Sequence, residues 1–182
     1  MSRRAGATLI VVGAIGLLVL GSLLGLLAVG GRSGRTEVLG IARCAPKNPA
    51  GAVVDVQLSD RGGAMMGGSN LMMVSVSASP DTVSSGTVTF VATNTGALNH
   101  ELLILPAPSD GVGTRPVRSN GKIDESSSLG EASTSCGRGA GNGISPGATS
   151  WVTVHLAPGT YELLCDEPWH YANGMFTTFV VS

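Results

Sequence analysis

Charged and aromatic residues are scarce in this chain, and no sequence repeat stands out. Asp, Glu, Lys and Arg together make up 13% of the 182 residues, and the formal net charge is −1. Such a chain cannot neutralise a row of phosphates, which argues against a nucleic-acid partner. Aromatic residues make up only 4%, whereas glycine occurs 27 times. This balance favours short strands joined by many turns over long helices.

The first 31 residues differ in character from the rest of the chain. Arg3 and Arg4 precede an uncharged, apolar and glycine-rich run over residues 5–31. The run is about 27 residues long, where about 20 suffice to cross a bilayer, and a cleaved signal peptide normally has an apolar region of only about 7–15. We predict an uncleaved membrane anchor over residues 1–31, with a cleaved signal segment as the alternative. Residues 32–52, rich in small residues, proline and basic residues, are predicted to be a linker.

Residues 53–182 carry the pattern of a single β domain. Apolar and polar residues alternate in several short segments that are separated by turns, which predicts an all-β, antiparallel sandwich. The residues that share one face of a predicted strand are Val54, Val56 and Leu58, then Met72, Val74 and Val76, then Val88, Phe90 and Ala92, and finally Val152, Val154 and Leu156. A Gly/Ser-rich excursion over residues 106–147 is unusually long for a compact domain. We predict that it is an ordered functional insert or a mobile loop.

Three potential metal ligands follow one another at five-residue intervals near the end of the chain. Cys165, His170 and Met175 form the motif C-x4-H-x4-M on a short loop between two predicted strands. Soft sulfur ligands together with imidazole suit copper, and a Cys with two His and a weak axial Met is the ligand set of blue-copper electron-transfer sites. His100 is predicted to supply the second imidazole. By strand alternation, both His100 and Cys165 are expected to point inward at the ends of neighbouring strands.

The run from Gly159-Thr160-Tyr161 through Cys165 and His170 to Met175 resembles the cupredoxins. It is most similar to the plastocyanin/azurin-like and, in pattern, the sulfocyanin-like blue copper proteins. The resemblance implies the Greek-key cupredoxin fold and one type 1 copper ion as the cofactor, held by His100, Cys165, His170 and Met175. It implies an electron carrier rather than an enzyme, without catalytic residues or a small-molecule substrate.

The resemblance also bears on partners and location. It implies a redox partner protein, such as a cytochrome or a terminal oxidase, whereas membrane attachment is predicted from the apolar run within residues 1–31. The domain is expected on the extracytoplasmic side of the membrane, or secreted or periplasmic if the N-terminal segment is cleaved. If Cys165 binds the metal, Cys44 and Cys136 are left as a possible disulfide in an oxidising compartment, with two unpaired thiols as the alternative.

Two positions beside the ligands depart from the cupredoxin pattern. Many cupredoxins carry Asn or Ser directly after the first ligand His, where it helps to fasten the two ligand loops, whereas this chain has Glu101. Trp169 precedes His170 at a position where relatives often have Gly. Its side chain is predicted either to form part of a docking surface or to pack locally. Acidic residues at 162, 166 and 167 suggest either a basic redox partner or an ordinary solvated cluster.

Other functions for the same residues were weighed against the electron carrier. In copper enzymes such as nitrite reductases, a His adjacent to the ligating Cys leads to a second copper centre, but Cys165 lies between Leu164 and Asp166. A copper storage or delivery protein is the main alternative, because thioethers bind Cu(I) and four of the six methionines lie at positions 65, 66, 72 and 73. The remaining histidine, His155, is predicted to face solvent.

Overall fold

The computed structural model describes residues 44–62 and 72–182, which belong to one compact unit. The predicted N-terminal helix (1–31), the first part of the predicted linker (32–43), and Met65 and Met66 lie outside the described residues. Within the described ranges, no helix has the length and hydrophobicity needed to span a bilayer.

Nine strands make up two sheets in the described part of the chain, which confirms the all-β prediction. The first sheet has the order β2-β1-β4-β7 and the second the order β3-β9-β8-β5-β6. The strands are β1 (Ala52–Gly62), β2 (Met72–Ser79), β3 (Thr82–Val83), β4 (Gly86–Asn94), β5 (Leu102–Pro106), β6 (Gly130–Ala132), β7 (Thr149–Leu156), β8 (Gly159–Leu164) and β9 (Phe176–Val181). A short 3-10 turn, Tyr171–Asn173, precedes β9.

Both sheets are mixed, so the prediction of a purely antiparallel sandwich is wrong. β1 pairs with β4 in parallel, and β3 pairs with β9 in parallel, whereas the other pairings are antiparallel. After the β1–β2 pair, the chain adds β3 to the second sheet before β4 returns beside β1. Side-chain alternation predicts which face of a strand is buried, but it contains no information on the direction of the neighbouring strand.

The core lies between the two sheets and uses the alternating residues as predicted. Residues 54, 56 and 58 of β1 are buried, and so are residues 88, 90 and 92 of β4 and 152, 154 and 156 of β7. Phe90 of the first sheet meets Phe179 of the second edge to face, with ring centroids 5.1 Å apart. Aromatic pairs favour this geometry, which adds to the free energy gained by burial. His155 is exposed, as predicted.

The insert over residues 106–147 covers the outer face of the second sheet. Leu103, Leu105 and Leu164 point away from the main core and pack against Ile123 and Val117 of the insert. Strand β5 is therefore buried on both faces, and residues 102–105 are all fully buried. This explains why its sequence is a continuous apolar run rather than an alternating one.

The expected acidic surface near the C-terminal motif is absent from the described structure, because Glu162 and Asp166 are both fully buried. Glu162 accepts hydrogen bonds from the Tyr171 hydroxyl (2.9 Å) and the Gly113 amide (2.7 Å) and pairs with the guanidinium of Arg115. A buried carboxylate needs such partners to remain charged. The insert supplies Gly113 and Arg115, so Glu162 anchors the insert rather than presenting charge to a partner.

A disulfide joins Cys44 to Cys136, which confirms the predicted pairing. It links the beginning of the described chain to the insert across 92 positions of sequence.

Candidate metal centre

Two neighbouring strands position the first two predicted ligands. His100 lies just before β5 and Cys165 directly follows β8, and these strands pair through Leu103 and Leu164. The backbone of His100 is held by a two-way bridge to Ile144, with N–O distances of 3.2 and 2.6 Å. Both side chains point inward, as alternation predicts, and both are completely buried.

The loop from β8 to β9 folds back on itself and brings the other two predicted ligands to the same place. The amide of Met175 donates to the carbonyl of His170 (3.1 Å), and the amide of Cys165 donates to the carbonyl of Met175 (3.0 Å). Gly174 closes the turn with φ +91°, a conformation that favours glycine. The backbone of one short loop thus connects the three residues of the C-x4-H-x4-M motif.

The donor atoms of His100, Cys165 and His170 form a small triangle. The two imidazole Nδ1 atoms are 3.2 Å apart, and Cys165 Sγ lies 3.4 Å from Nδ1 of His170 and 3.9 Å from Nδ1 of His100. Three atoms at these spacings share a common point about 2 Å from each, close to the ~2.0–2.1 Å and ~2.3 Å that zinc, for example, makes with nitrogen and sulfur. The triangle therefore has the size that a bound first-row metal ion requires.

Burial keeps the Cys165 thiol and the His170 imidazole uncharged when no cation is bound. It raises the pKa of the Cys165 thiol to about 12, although the Glu101 amide donates to Sγ at 3.4 Å. Burial, followed by the proximity of His100, lowers the pKa of His170 to about 4. A cation that binds here displaces the thiol proton, which couples metal affinity to pH.

Met175 is completely buried and packs in the same hydrophobic cluster as Cys165. Its backbone is hydrogen-bonded to both Cys165 and His170, so its buried side chain adds a thioether next to the residues that carry the thiol and one imidazole. This combination of soft sulfur and imidazole fits copper, whereas hard cations prefer oxygen ligands. Only 6% of His170 is exposed, while the neighbouring Trp169 is 53% exposed.

Asp60 is a residue of this site that the sequence interpretation missed. Its Oδ1 lies 2.8 Å from Nε2 of His100, on the ring edge opposite to the donor triangle. The same oxygen accepts hydrogen bonds from the amides of Ala97 and Leu98. Burial alone would raise the pKa of Asp60, but the hydrogen bonds from Leu98, His100 and Ala97 bring it below its ordinary value.

The carboxylate of Asp60 fixes the tautomer of His100. With Nε2–H donating to Asp60, Nδ1 is left unprotonated and available to a metal. The sequence signal was present, because Asp60 continues the inward series of Val54, Val56 and Leu58. A charged residue at an inward position requires a buried partner.

We expect Asp60→Asn to raise the reduction potential of the copper-loaded protein and to weaken Cu(II) binding about 10- to 100-fold. The loss of a negative charge beside His100 destabilises the more positive, oxidised state. Redox titration and competition with a copper chelator measure the two effects. Asp55→Asn is the matched control, because Asp55 is an exposed residue on the opposite face of the same strand. Equal potentials and affinities in the two variants would contradict a role for Asp60.

Met73 is the residue of the Met-rich segment whose side chain is described, and unlike the buried donor triangle it faces solvent. Met73 is 58% exposed, and it pairs in register with Arg61 on β1. Among described residues, a second group of potential ligands consists of Glu101, Glu125 and Asp166, which are all oxygen donors.

Comparison with known protein families identifies the class of metal protein to which the chain belongs. A family model described as the sulfocyanin (SoxE) domain matches residues 70–182, well over half of the chain. The chain belongs to the sulfocyanin family. Sulfocyanins are blue copper cupredoxins, so the resemblance predicted from Cys165, His170 and Met175 is confirmed. Copper is the metal of this family's site, and the donor set described above fits it.

The chain is also similar to several solved structures. Reduced auracyanin from Roseiflexus castenholzii is 24% identical over 72% of this chain and 99% of its own, with a TM-score of 0.46. Auracyanin A from Chloroflexus aurantiacus is 22% identical over 72% of this chain and 100% of its own, with a TM-score of 0.44. Reduced rusticyanin is 25% identical over 73% of this chain and 81% of its own, with a TM-score of 0.40. These TM-scores are low, so family membership rests on the sulfocyanin domain. No curated protein sequence matches the chain.

Proposed function

We propose that this chain is a one-electron carrier with a single type 1 copper ion as its redox centre. His100, Cys165 and His170 are the strong ligands, and Met175 is the weak axial ligand. The observation that supports this most strongly is the buried triangle of two Nδ1 atoms and one Sγ, with sides of 3.2–3.9 Å. Copper in this position supplies the Cu(II)/Cu(I) couple.

The chain's own residues make the exchange fast by keeping the ligands in place. The bridge to Ile144 and the hydrogen bond to Asp60 restrict His100, and the folded loop restricts Cys165, His170 and Met175. Cu(II) prefers tetragonal geometry and Cu(I) prefers few soft ligands, and a site built from one thiolate, two imidazoles and a weakly binding thioether would be a compromise between the two. Little needs to move when the redox state changes, so the reorganisation energy is small.

We further propose that the apolar run over residues 1–31 tethers the domain, residues 53–182, to the extracytoplasmic side of a membrane. The disulfide between Cys44 and Cys136 supports an oxidising compartment. The redox partner is expected to be a protein, a cytochrome or a terminal oxidase. Release after signal cleavage is the alternative, and mass spectrometry of the mature protein from membrane and soluble fractions distinguishes the two.

The test is a redox titration of the copper-loaded protein followed by visible absorption. We expect an intense thiolate-to-Cu(II) band that bleaches with one electron per protein and returns on reoxidation. A protein that lacks this band, or that bleaches irreversibly, would contradict the electron carrier. Tight Cu(I) binding that depends on the methionines at 65–73, without such a band, would instead favour copper delivery. The exposure of Met73 to solvent is consistent with that second function.

A further inference from the structure

Three consecutive residues of the insert contact the chain neighbours of the three strong ligands. These residues, Gly121–Ile123, are here called the clamp segment. They meet the residue after His100, the residue after Cys165 and the residue before His170. We propose that the clamp segment is a positioning element that sets the geometry of the copper site, an inference that rests on the function proposed above.

The first contact is made by Gly121 on the His170 side of the site. The carbonyl of Gly121 accepts a hydrogen bond from the amide of Trp169 at 2.9 Å. The indole of Trp169 packs directly over the glycine. A Cβ at position 121 would lie 2.7 Å from the backbone nitrogen of Trp169 and 2.9 Å from two carbons of its indole. Trp169 itself has a positive φ of 70°, which is uncommon for a residue with a side chain. The absence of a side chain at 121 therefore lets the chain adopt this conformation just before His170.

The second contact is made by Lys122 between the His100 and Cys165 segments. Its ammonium lies 3.6 Å from Oε1 of Glu101 and 3.9 Å from Oδ2 of Asp166, with Glu125 Oε1 at 3.8 Å. In the described structure, Glu101 Oε1 and Asp166 Oδ2 are buried and have no hydrogen-bond partner. The ammonium thus bridges the segments that follow His100 and Cys165. Without it this contact between the two segments is lost, and the strand ends that carry the ligands are less firmly held.

The third contact fixes the clamp segment itself. The amide of Ile123 donates to Oδ1 of Asp166 at 2.7 Å. The side chain of Ile123 is 2% exposed and packs with Leu103, Leu164 and Tyr171 under the insert. The clamp segment is therefore held by a hydrophobic anchor on one side while its polar groups face the ligand-bearing segments on the other.

This arrangement offers a physical explanation for Glu101. The Asn or Ser found after the first ligand His in many cupredoxins fastens the ligand loops directly. In the described structure Glu101 Oε1 and Asp166 Oδ2 make no hydrogen bond, so these two side chains do not fasten the loops by themselves. Lys122 bridges the two, so the insert takes over the fastening that a single polar residue performs elsewhere.

The first test replaces the bridging charge. In the copper-loaded protein, K122M should change the Cu(II) EPR hyperfine splitting and the energy of the visible band, and should weaken Cu(II) binding about tenfold or more. K122R should restore most of each value. R118M is the matched control, because Arg118 belongs to the same insert and has the same charge, but pairs with Asp124 at an exposed position. R118M is expected to resemble the wild type.

The second test uses two glycines with nearly the same φ angle. Gly121 has φ +82° and Gly139 has φ +81°, so G121A and G139A introduce similar backbone strain. A Cβ at 139 meets nothing within 4 Å, whereas a Cβ at 121 meets Trp169. G121A should alter the EPR spectrum and the copper affinity, and G139A should leave both unchanged. If denaturant unfolding of the copper-free protein shows that K122M does not fold, the comparison of G121A with G139A alone tests whether the clamp segment sets the geometry of the copper site.

The outcomes separate the clamp segment from the copper site on which it depends. A wild-type protein without the thiolate-to-Cu(II) band would overturn both. The proposed role of the clamp segment alone would be overturned by a different result. In that case the wild type is blue, but K122M and G121A have the same spectra and copper affinity as R118M and G139A.

Discussion

Replacing Cys165 with serine should abolish the visible band and the one-electron exchange of the copper-loaded protein. Among the described residues, Cys165 is the cysteine outside the disulfide, so no other described thiolate can take its place. A serine hydroxyl is a poor ligand for Cu(I). Without sulfur, the low-energy thiolate-to-Cu(II) transition that gives the visible band is lost. We expect complete loss of the band rather than a shift.

The fold should survive this change. Serine is nearly the same size as cysteine, and the Glu101 amide that donates to Sγ at 3.4 Å can donate to the new oxygen. Burying one hydroxyl that is partly satisfied costs about 1–3 kcal/mol. Denaturant unfolding of the copper-free protein measures this cost. His155→Ala, at an exposed position, is the control that should stay blue. A Cys165→Ser variant with an undiminished band would refute the ligand assignment.

Removing the disulfide should produce the largest loss of stability. In the chain-entropy model, a bond that closes a loop of this length stabilises the folded state by about 4–5 kcal/mol. The bond between Cys44 and Cys136 spans 92 positions and holds the insert, whose residue Ile144 in turn supports His100. The double variant Cys44→Ala/Cys136→Ala should therefore unfold at much lower denaturant concentration.

The matched control for the disulfide is chemical. A thiol reductant should lower the stability of the copper-free wild type to that of the double variant, and should leave the double variant unchanged. Equal stability of the oxidised wild type and the variant would contradict a stabilising role for the bond.

Much of the sandwich could be predicted because half-buried strands alternate. Val54, Val56 and Leu58 identified the inward face of β1 without any knowledge of its neighbours. The direction of pairing was not predictable, because the parallel pairing of β1 with β4 leaves the same alternation as an antiparallel one. The insert was ambiguous for a related reason, since its apolar anchors, such as Ile123, are isolated among glycines and serines.

The ligand motif was visible because its residues are rare and regularly spaced. The surroundings of the site were harder to predict, because they depend on contacts between distant segments. Glu162 and Asp166 were interpreted as possible surface charges, yet both are buried beneath the insert. Asp60 lies 40 positions from His100, and only its inward register indicated that it needed a buried partner.

The most direct test of the copper site is a crystal structure of the copper-loaded protein with anomalous diffraction at the copper edge. We predict one copper peak per chain at about 2 Å from Nδ1 of His100, Nδ1 of His170 and Sγ of Cys165, within the bond lengths typical of such ligands. A copper peak elsewhere, or imidazoles at 100 and 170 turned away from that sulfur, would contradict it.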